Sequence, residues 1–147
     1  MYKHILVPTD GSELSVRAIT HAVTLAKATG ARLTGLFVAP APTPLVFEGL
    51  LPVDHMQPEA HAALSARAAD RYLKVIDKRA AAAGVLYTGF TVTGEFVADA
   101  TLQQAAKRKC DLIVMASHGR RGLRGLLLGS ETQKVLAAAK VPVLVCR

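Results

Sequence analysis

The residues with the most chemical promise lie between Met115 and Thr132. An apolar run, Leu112-Ile113-Val114-Met115, enters a loop carrying Gly119, Gly122, Gly125 and Gly129 together with Arg120, Arg121 and Arg124. Gly129-Ser130 then opens a helical pattern. Strand, glycine-rich loop and helix N-terminus together make an anion site. The N–H groups of a first helical turn have no partner inside the helix, and the positive end of the helix dipole lies beside them. Glycine lets the backbone approach a ligand, or take positive φ, with no β-carbon in the way. Ser130 is expected as the N-cap, with Gln133 three residues on completing a capping box. The spacing is neither the phosphate loop G-x-x-x-x-G-K-S/T nor the dinucleotide G-x-G-x-x-G. The three arginines would either clamp terminal phosphates or raise the local potential.

Asp10 is a second candidate. It follows the apolar run Ile5-Leu6-Val7-Pro8 and precedes Gly11-Ser12. A carboxylate there can accept hydrogen bonds from adenine or ribose, help hold a divalent ion, or serve only the turn. His118 can donate to a phosphate or orient the loop. Glu131 belongs to a first helical turn, where an acidic side chain normally points outward and favours the dipole. Cys110 and Cys146 each adjoin an apolar run and form no C-x-x-C pair, so they read as buried thiols in a reducing compartment.

The elements that must carry these groups alternate along the chain. Lys3 to Pro8 is continuously apolar toward its end, as suits a strand covered on both faces. Leu14, Ala18, Ala22, Leu25 and Ala26 then recur at helical spacing, with Ser12 as N-cap and Gly30 as the stop. Ala31 to Val38 is a second strand, ended by Pro40, Pro42 and Pro44. The long segment Ala39 to Gln57 is expected to cap a pocket, contact a partner or run over the surface. Pro58 starts a helix over Glu59 to Ala83 with Leu64, Ala68, Tyr72, Val75 and Ile76 on its apolar stripe, and Gly84 closes it. Val85 to Val92 is a strand, Gly94-Glu95-Phe96 a turn, and Val97 to Lys109 a helix whose last cations suit its dipole. Asp111 to Ala116, Glu131 to Lys140 and Val141 to Cys146 complete the series as strand, helix and strand.

Five strands alternating with helices define an α/β fold, an open parallel five-stranded sheet with helices on both faces, Rossmann-like. Periodicity does not give the strand order. Ligands of such sheets bind beyond the C-terminal strand ends, where the order reverses. A length of 147 residues, 51% of them hydrophobic and 20% charged, suits one globular domain over 1–147. No apolar run is long enough to span a bilayer, and the N-terminus has no signal-peptide pattern, so the expected location is cytoplasmic with no membrane partner. A net charge of +7 favours anionic ligands. Aromatics are 5% with no Trp, which disfavours nucleic acid because base-stacking platforms are few.

The stretch around Gly119 to Ser130 resembles the C-terminal signature of the universal stress protein family, whose ATP-binding branch carries G-x2-G-x9-G-S/T. Gly119, nine residues, Gly129 and Ser130 match it, and Ala116 stands at the first glycine. The resemblance extends to Ile5 through Ser12 and to Val141-Pro142-Val143-Leu144-Val145, covering essentially the whole chain. It implies strand order 3-2-1-4-5, a dimer, and an adenine nucleotide bound in some members and not in others. It implies Pro8 and Thr9 flanking the ribose, Asp10 and Val38 at the nucleotide, and Met115 and Ala116 lining the adenosine. Gly119, Gly129, Ser130 and the N–H groups of Glu131 and Thr132 would hold the phosphates, with the Thr132 hydroxyl as a further candidate; His118 and Arg120 are candidates on their own chemistry.

The function expected is a stress-response regulatory module that binds ATP, AMP or ADP, with or without Mg²⁺. It would form a homodimer by pairing of the edge strand Val141 to Val145. Two alternatives stand beside it. One is a nucleotide-free dimeric interaction module, which Ala116 favours. The other is a slow ATPase with Asp10 positioning metal or water, against which stands the lack of a phosphate-loop lysine.

Overall fold

The computed structural model describes residues 1–41, 58–120 and 127–147. The apolar runs form five strands: β1 (His4–Pro8), β2 (Arg32–Pro40), β3 (Tyr87–Gly94), β4 (Leu112–Ala116) and β5 (Val143–Cys146). Between them lie α1 (Glu13–Thr29), α2 (Pro58–Ala83), α3 (Val97–Lys107) and α4 (Ser130–Ala138). All strands are parallel, in the order β3-β2-β1-β4-β5, as the family resemblance implied.

β1 is central and covered on both faces, which is why its sequence is apolar without alternation. Ile5 and Val7 pack with Ile19 and Ala22 of α1 and Ile76 of α2. Leu6, between them, faces the other way and packs with Ala98 of α3 and Val135 of α4. Each such aliphatic side chain, removed from water, stabilises the fold by about 1.5–3 kcal/mol before entropy is counted. Cys110 and Cys146 are buried free thiols, and burial pushes the Cys110 thiol up to about 11, far from reactive.

Several boundaries differ from the sequence expectation for local reasons. The buried stripe of α2 is Ala69, Tyr72, Ile76 and Ala80, with Ala68 and Val75 partly buried against the core, whereas Leu64, expected on the stripe, is 51% exposed. Ladder pairing with β2 carries β3 on to Gly94 rather than ending it at Val92. α3 stops at Lys107, because Lys109 takes a left-handed φ of 54°. The Arg108 guanidinium leaves the helix end and lies 3.4 Å from the Phe90 ring centroid. β5 begins at Val143, and Pro142 contributes only its carbonyl, which accepts from the Ile113 N–H at 3.0 Å. Among the described residues, no helix is long and apolar enough to cross a membrane.

The turn from β1 into α1 is tightly specified. Ser12 caps α1, accepting from the Ser15 N–H at 3.2 Å. Gly11 has φ 76°, and a β-carbon there would collide with the Tyr72 ring. Gly30 ends α1 with φ 70°, and a β-carbon there would meet nothing within 4 Å. Gly30→Ala should therefore cost only the conformational penalty, about 1–2 kcal/mol. Gly11→Ala carries the same penalty and must also displace Tyr72, so its urea midpoint should fall distinctly further.

His4 is buried, with Nε2 2.6 Å from Thr34 Oγ1 and Nδ1 unpartnered among the described residues. Burial, reinforced by the Arg32 cation, lowers its pKa from 6.5. The unfolded chain thus takes up this proton first as pH falls. The His4 contribution is fully present above pH 6.5 and is lost as pH falls from there through the folded-state value. Denaturation midpoints measured across that range should drop for the parent, and by less for His4→Gln.

Candidate functional site

β1 pairs with β2 along its whole length but with β4 only at Ile5↔Leu112 and Leu6↔Ile113. Beyond those pairs the C-terminal ends of β1 and β4 part, and a cavity of about 430 Å³ opens between the loops that follow them. This is where the order of an open parallel sheet reverses.

Thr9 forms one wall. Its N–H donates to the Leu36 carbonyl at 2.9 Å, and its Oγ1 lies 3.1 Å from Ser15 Oγ. Asp10 comes next, with both carboxylate oxygens engaged by backbone. Oδ1 accepts from the Ser12 N–H at 2.9 Å and Oδ2 from the Arg120 N–H at 2.7 Å. The second bond ties the loop after β1 to the glycine loop after β4. A β-carbon on Gly119 would lie 2.8 Å from Asp10 Oδ2, so the glycine admits this carboxylate. Its φ is not positive, so space rather than backbone conformation selects glycine.

The opposite wall is built on the end of β4. Ser117 donates its N–H to the Cys146 carbonyl at 2.7 Å and accepts from the Gly129 N–H at 2.7 Å, which brings the start of α4 over the strand end. Thr132, buried, donates its hydroxyl to the Ala116 carbonyl at 3.0 Å. That hydroxyl therefore holds α4 to β4, a different role from the phosphate donor the resemblance implied. Ala116 lines the cavity with an ordinary φ, so its side chain carries no backbone strain.

The N-terminus of α4 differs from the sequence expectation. Gly129, extended at φ −69° and ψ 155°, is the N-cap, and Ser130 is the first helical residue. Gln133 donates its side-chain N–H to the Leu128 carbonyl at 2.9 Å instead of completing a capping box. A glycine cap has no side-chain acceptor to fold back. Among the described residues the first-turn N–H groups of α4 therefore have no side-chain cap, and this open helix end lines the cavity.

Glu131 does not simply point away into solvent. Its Oε2 accepts from the Ala98 N–H at 2.6 Å, capping α3, and its Oε1 pairs with Lys134 at 2.9 Å. Burial pushes its carboxyl pKa up, but the Lys134 ammonium and the Ala98 N–H outweigh this and hold it below the ordinary value. His118 sets Nδ1 3.1 Å from Ser117 Oγ, and its buried Nε2 has no partner among the described residues.

Pro8, Val38, Met115, Gly129 and Ser130 also line the cavity. Arg120 is the exception. Its N–H reaches Asp10, but its guanidinium lies 5.0 Å from the Tyr72 ring centroid, outside the cavity. Arg121, Arg124, Gly122 and Gly125 lie outside the described residues, as does nearly all of the Pro-rich segment, from residue 42 to residue 57. Leu36, Val97 and Ser15 line the cavity without having been anticipated. Leu36 was accessible in principle, two residues before Val38 on the same face of β2, whereas nothing local marked Val97.

A family model described as the universal stress protein family matches residues 1–147, and the chain belongs to that family. A universal stress protein of Methanocaldococcus jannaschii, MJ0531, is 35% identical over 147 residues, spanning 100% of this chain and 83% of the relative. The solved structure of a hypothetical protein, MJ0577, superimposes with TM-score 0.82 at 28% identity, over 99% of this chain and 96% of that one. A universal stress protein solved in complex with cAMP superimposes with TM-score 0.68 at 28% identity, over 98% of this chain and 95% of that one.

The contact between Gly119 and Asp10 can be tested with four proteins. A β-carbon at Gly119 would push the carboxylate off the Arg120 N–H, so Gly119→Ala should cost about 1–3 kcal/mol. In an Asp10→Ala background the obstacle is gone and the same substitution should cost much less. Equal costs in both backgrounds, measured by denaturation, would show that Gly119 serves something else.

Proposed function

We propose that this protein is a stress-response regulatory module that binds an adenine nucleotide, ATP foremost, in the crevice between β1 and β4, and that acts as a homodimer. The observation that carries this reading is the helix end of α4, uncapped by any side chain among the described residues and lining a largely apolar cavity. Its free N–H groups and positive dipole end suit phosphate. The cavity, at about 430 Å³, lies within the range of small-molecule sites, about 300–1,000 Å³. Val38, Leu36 and Met115 supply the apolar surface for a base, and Pro8 and Thr9 border the ribose. Gly119, Gly129 and the N–H groups of Ser130, Glu131 and Thr132 face the phosphates. Mg²⁺ would arrive on the phosphates. The relative solved with cAMP supports the adenine class.

Both carboxylates that line the cavity are already engaged, Asp10 by two backbone N–H groups and Glu131 by Ala98 and Lys134. This favours binding and signalling over hydrolysis, because neither is left to orient an attacking water. Dimerisation would use β5, the edge of the sheet, where Leu144 is 40% exposed.

The test is to purify the protein with no added nucleotide, denature it, and resolve the supernatant by anion exchange. The emptied protein is then titrated calorimetrically with Mg-ATP. Bound adenine nucleotide, or saturable Mg-ATP binding, is the expected result. An empty protein that also fails to bind millimolar Mg-ATP would leave the nucleotide-free interaction module as the better reading.

A further inference from the structure

A second cleft, of about 400 Å³, lies between α1 and α2. It shares Thr9 with the nucleotide cavity but is otherwise bounded by Gly11, Val16 and Ile19 on one side and Arg71, Tyr72 and Val75 on the other, with Arg120 closing it. We propose that this cleft is a second anion site, taking a phosphate-bearing ligand between the guanidinium groups of Arg71 and Arg120.

Tyr72 organises the cleft. Its ring is 8% exposed, packed edge-on to Phe37 with centroids 5.5 Å apart. The guanidinium carbons of Arg71 and Arg120 each lie 5.0 Å from that ring's centroid. The rigid ring thus gathers two cations that would otherwise repel each other and disperse into water. Cation–π attraction at an exposed site is worth only about 0.5–1 kcal/mol, so it orients the guanidiniums without neutralising them.

Neither arginine has an acidic partner among the described residues, whose ion pairs are Arg17–Glu13 and Lys134–Glu131. Asp10 is committed to backbone N–H groups, and among the described residues no carboxylate lines this cleft. Arg71 uses one N–H on the Tyr72 hydroxyl at 3.1 Å, which leaves most of its donor fork open. The two guanidiniums border one cleft with no carboxylate partner among the described residues, and their planar donor forks suit the tetrahedral oxygens of a phosphate group, which accept bidentate bonds from arginine.

The site also has a link to its neighbour. The residue whose guanidinium would grip the anion is the residue whose N–H is held by Asp10 at the rim of the nucleotide cavity. Thr9 forms part of both walls. The ligand could come from two sources, a free phosphate compound or the terminal phosphate of a nucleotide held in the first cavity, and these give different outcomes.

Backbone amide NMR at low salt separates them. Inorganic pyrophosphate is titrated into the full chain, with and without saturating adenosine as a blocker of the first cavity. The expected result is saturable shifts at Gly11, Tyr72 and Val75 that persist with adenosine present. Arg71→Gln and Arg120→Gln should each weaken that response about tenfold, while shifts at Ser130 to Thr132 remain. Tyr72→Phe keeps the ring and should keep the response, and Arg71→Lys, which keeps charge but loses the fork, should weaken it. Thermal melts confirm that each variant is folded. Absence of pyrophosphate shifts at Gly11, Tyr72 and Val75 would overturn the proposal. So would shifts there that only ATP produces, because the second cleft would then be an extension of the first. Both results leave intact the reading of the first cavity, which is judged separately by co-purified adenine nucleotide and Mg-ATP binding.

Discussion

The two walls of the main cavity depend on one carboxylate. Asp10 and Arg120 are 110 positions apart, yet the 2.7 Å bond between Oδ2 and the Arg120 N–H makes them neighbours. Without it, the turn after β1 and the glycine loop after β4 would be separate surface segments, each free to sample its own conformations at little cost. A charge-assisted bond to backbone contributes about 1.5–3 kcal/mol, enough to select one relative arrangement. It also dictates its surroundings. Gly119 must lack a side chain because the carboxylate occupies that space, and the Arg120 side chain is left to extend over Tyr72.

The other wall is fixed by backbone geometry. β4 hands its register directly to α4, because the Ser117 carbonyl receives the Gly129 N–H and the Ala116 carbonyl receives the Thr132 hydroxyl. Strand end and helix start therefore move as one body. An apolar floor lies between them, so a ligand there meets dipole and N–H groups in a region with little competing water. Electrostatic interactions gain strength in such surroundings.

Most of this architecture was legible in the sequence. Continuous apolar strands alternating with amphipathic helices specify a covered parallel sheet, and Gly30 and Ser12 mark the limits of α1 as local chemistry predicts. The strand order was not legible from periodicity, because it is a property of which edges meet, and only the family resemblance supplied it. The role of Asp10 was half legible. Its position at a strand end singled it out, but its partner is an N–H with no residue-specific signature. Ser130 misled because serine is the better capping residue by type, whereas the extended backbone falls at Gly129 and the helix starts one residue earlier than the composition suggests. The direction of Arg120 was beyond sequence reasoning, since it depends on a ring presented by a helix 48 positions away, at Tyr72.

The central position of β1 has a consequence for how the molecule is made. β1 leaves the ribosome before the other four strands, and on one side β2 can pair with it and β3 with β2 in sequence order. Its other edge waits for β4, whose Leu112 and Ile113 meet Ile5 and Leu6 across more than 100 intervening positions. During synthesis the nascent chain therefore carries a half-built sheet with an open, apolar parallel edge and one uncovered face. An unpaired edge of this kind is a site for wrong pairing between chains. Asp111 closes that interval. Once β4 is made, the Asp111 carboxylate accepts from the Lys3 and His4 N–H groups at 2.8 and 2.9 Å, tying β1 and β4 together at their N-terminal ends, while Asp10 ties the loops at their C-terminal ends.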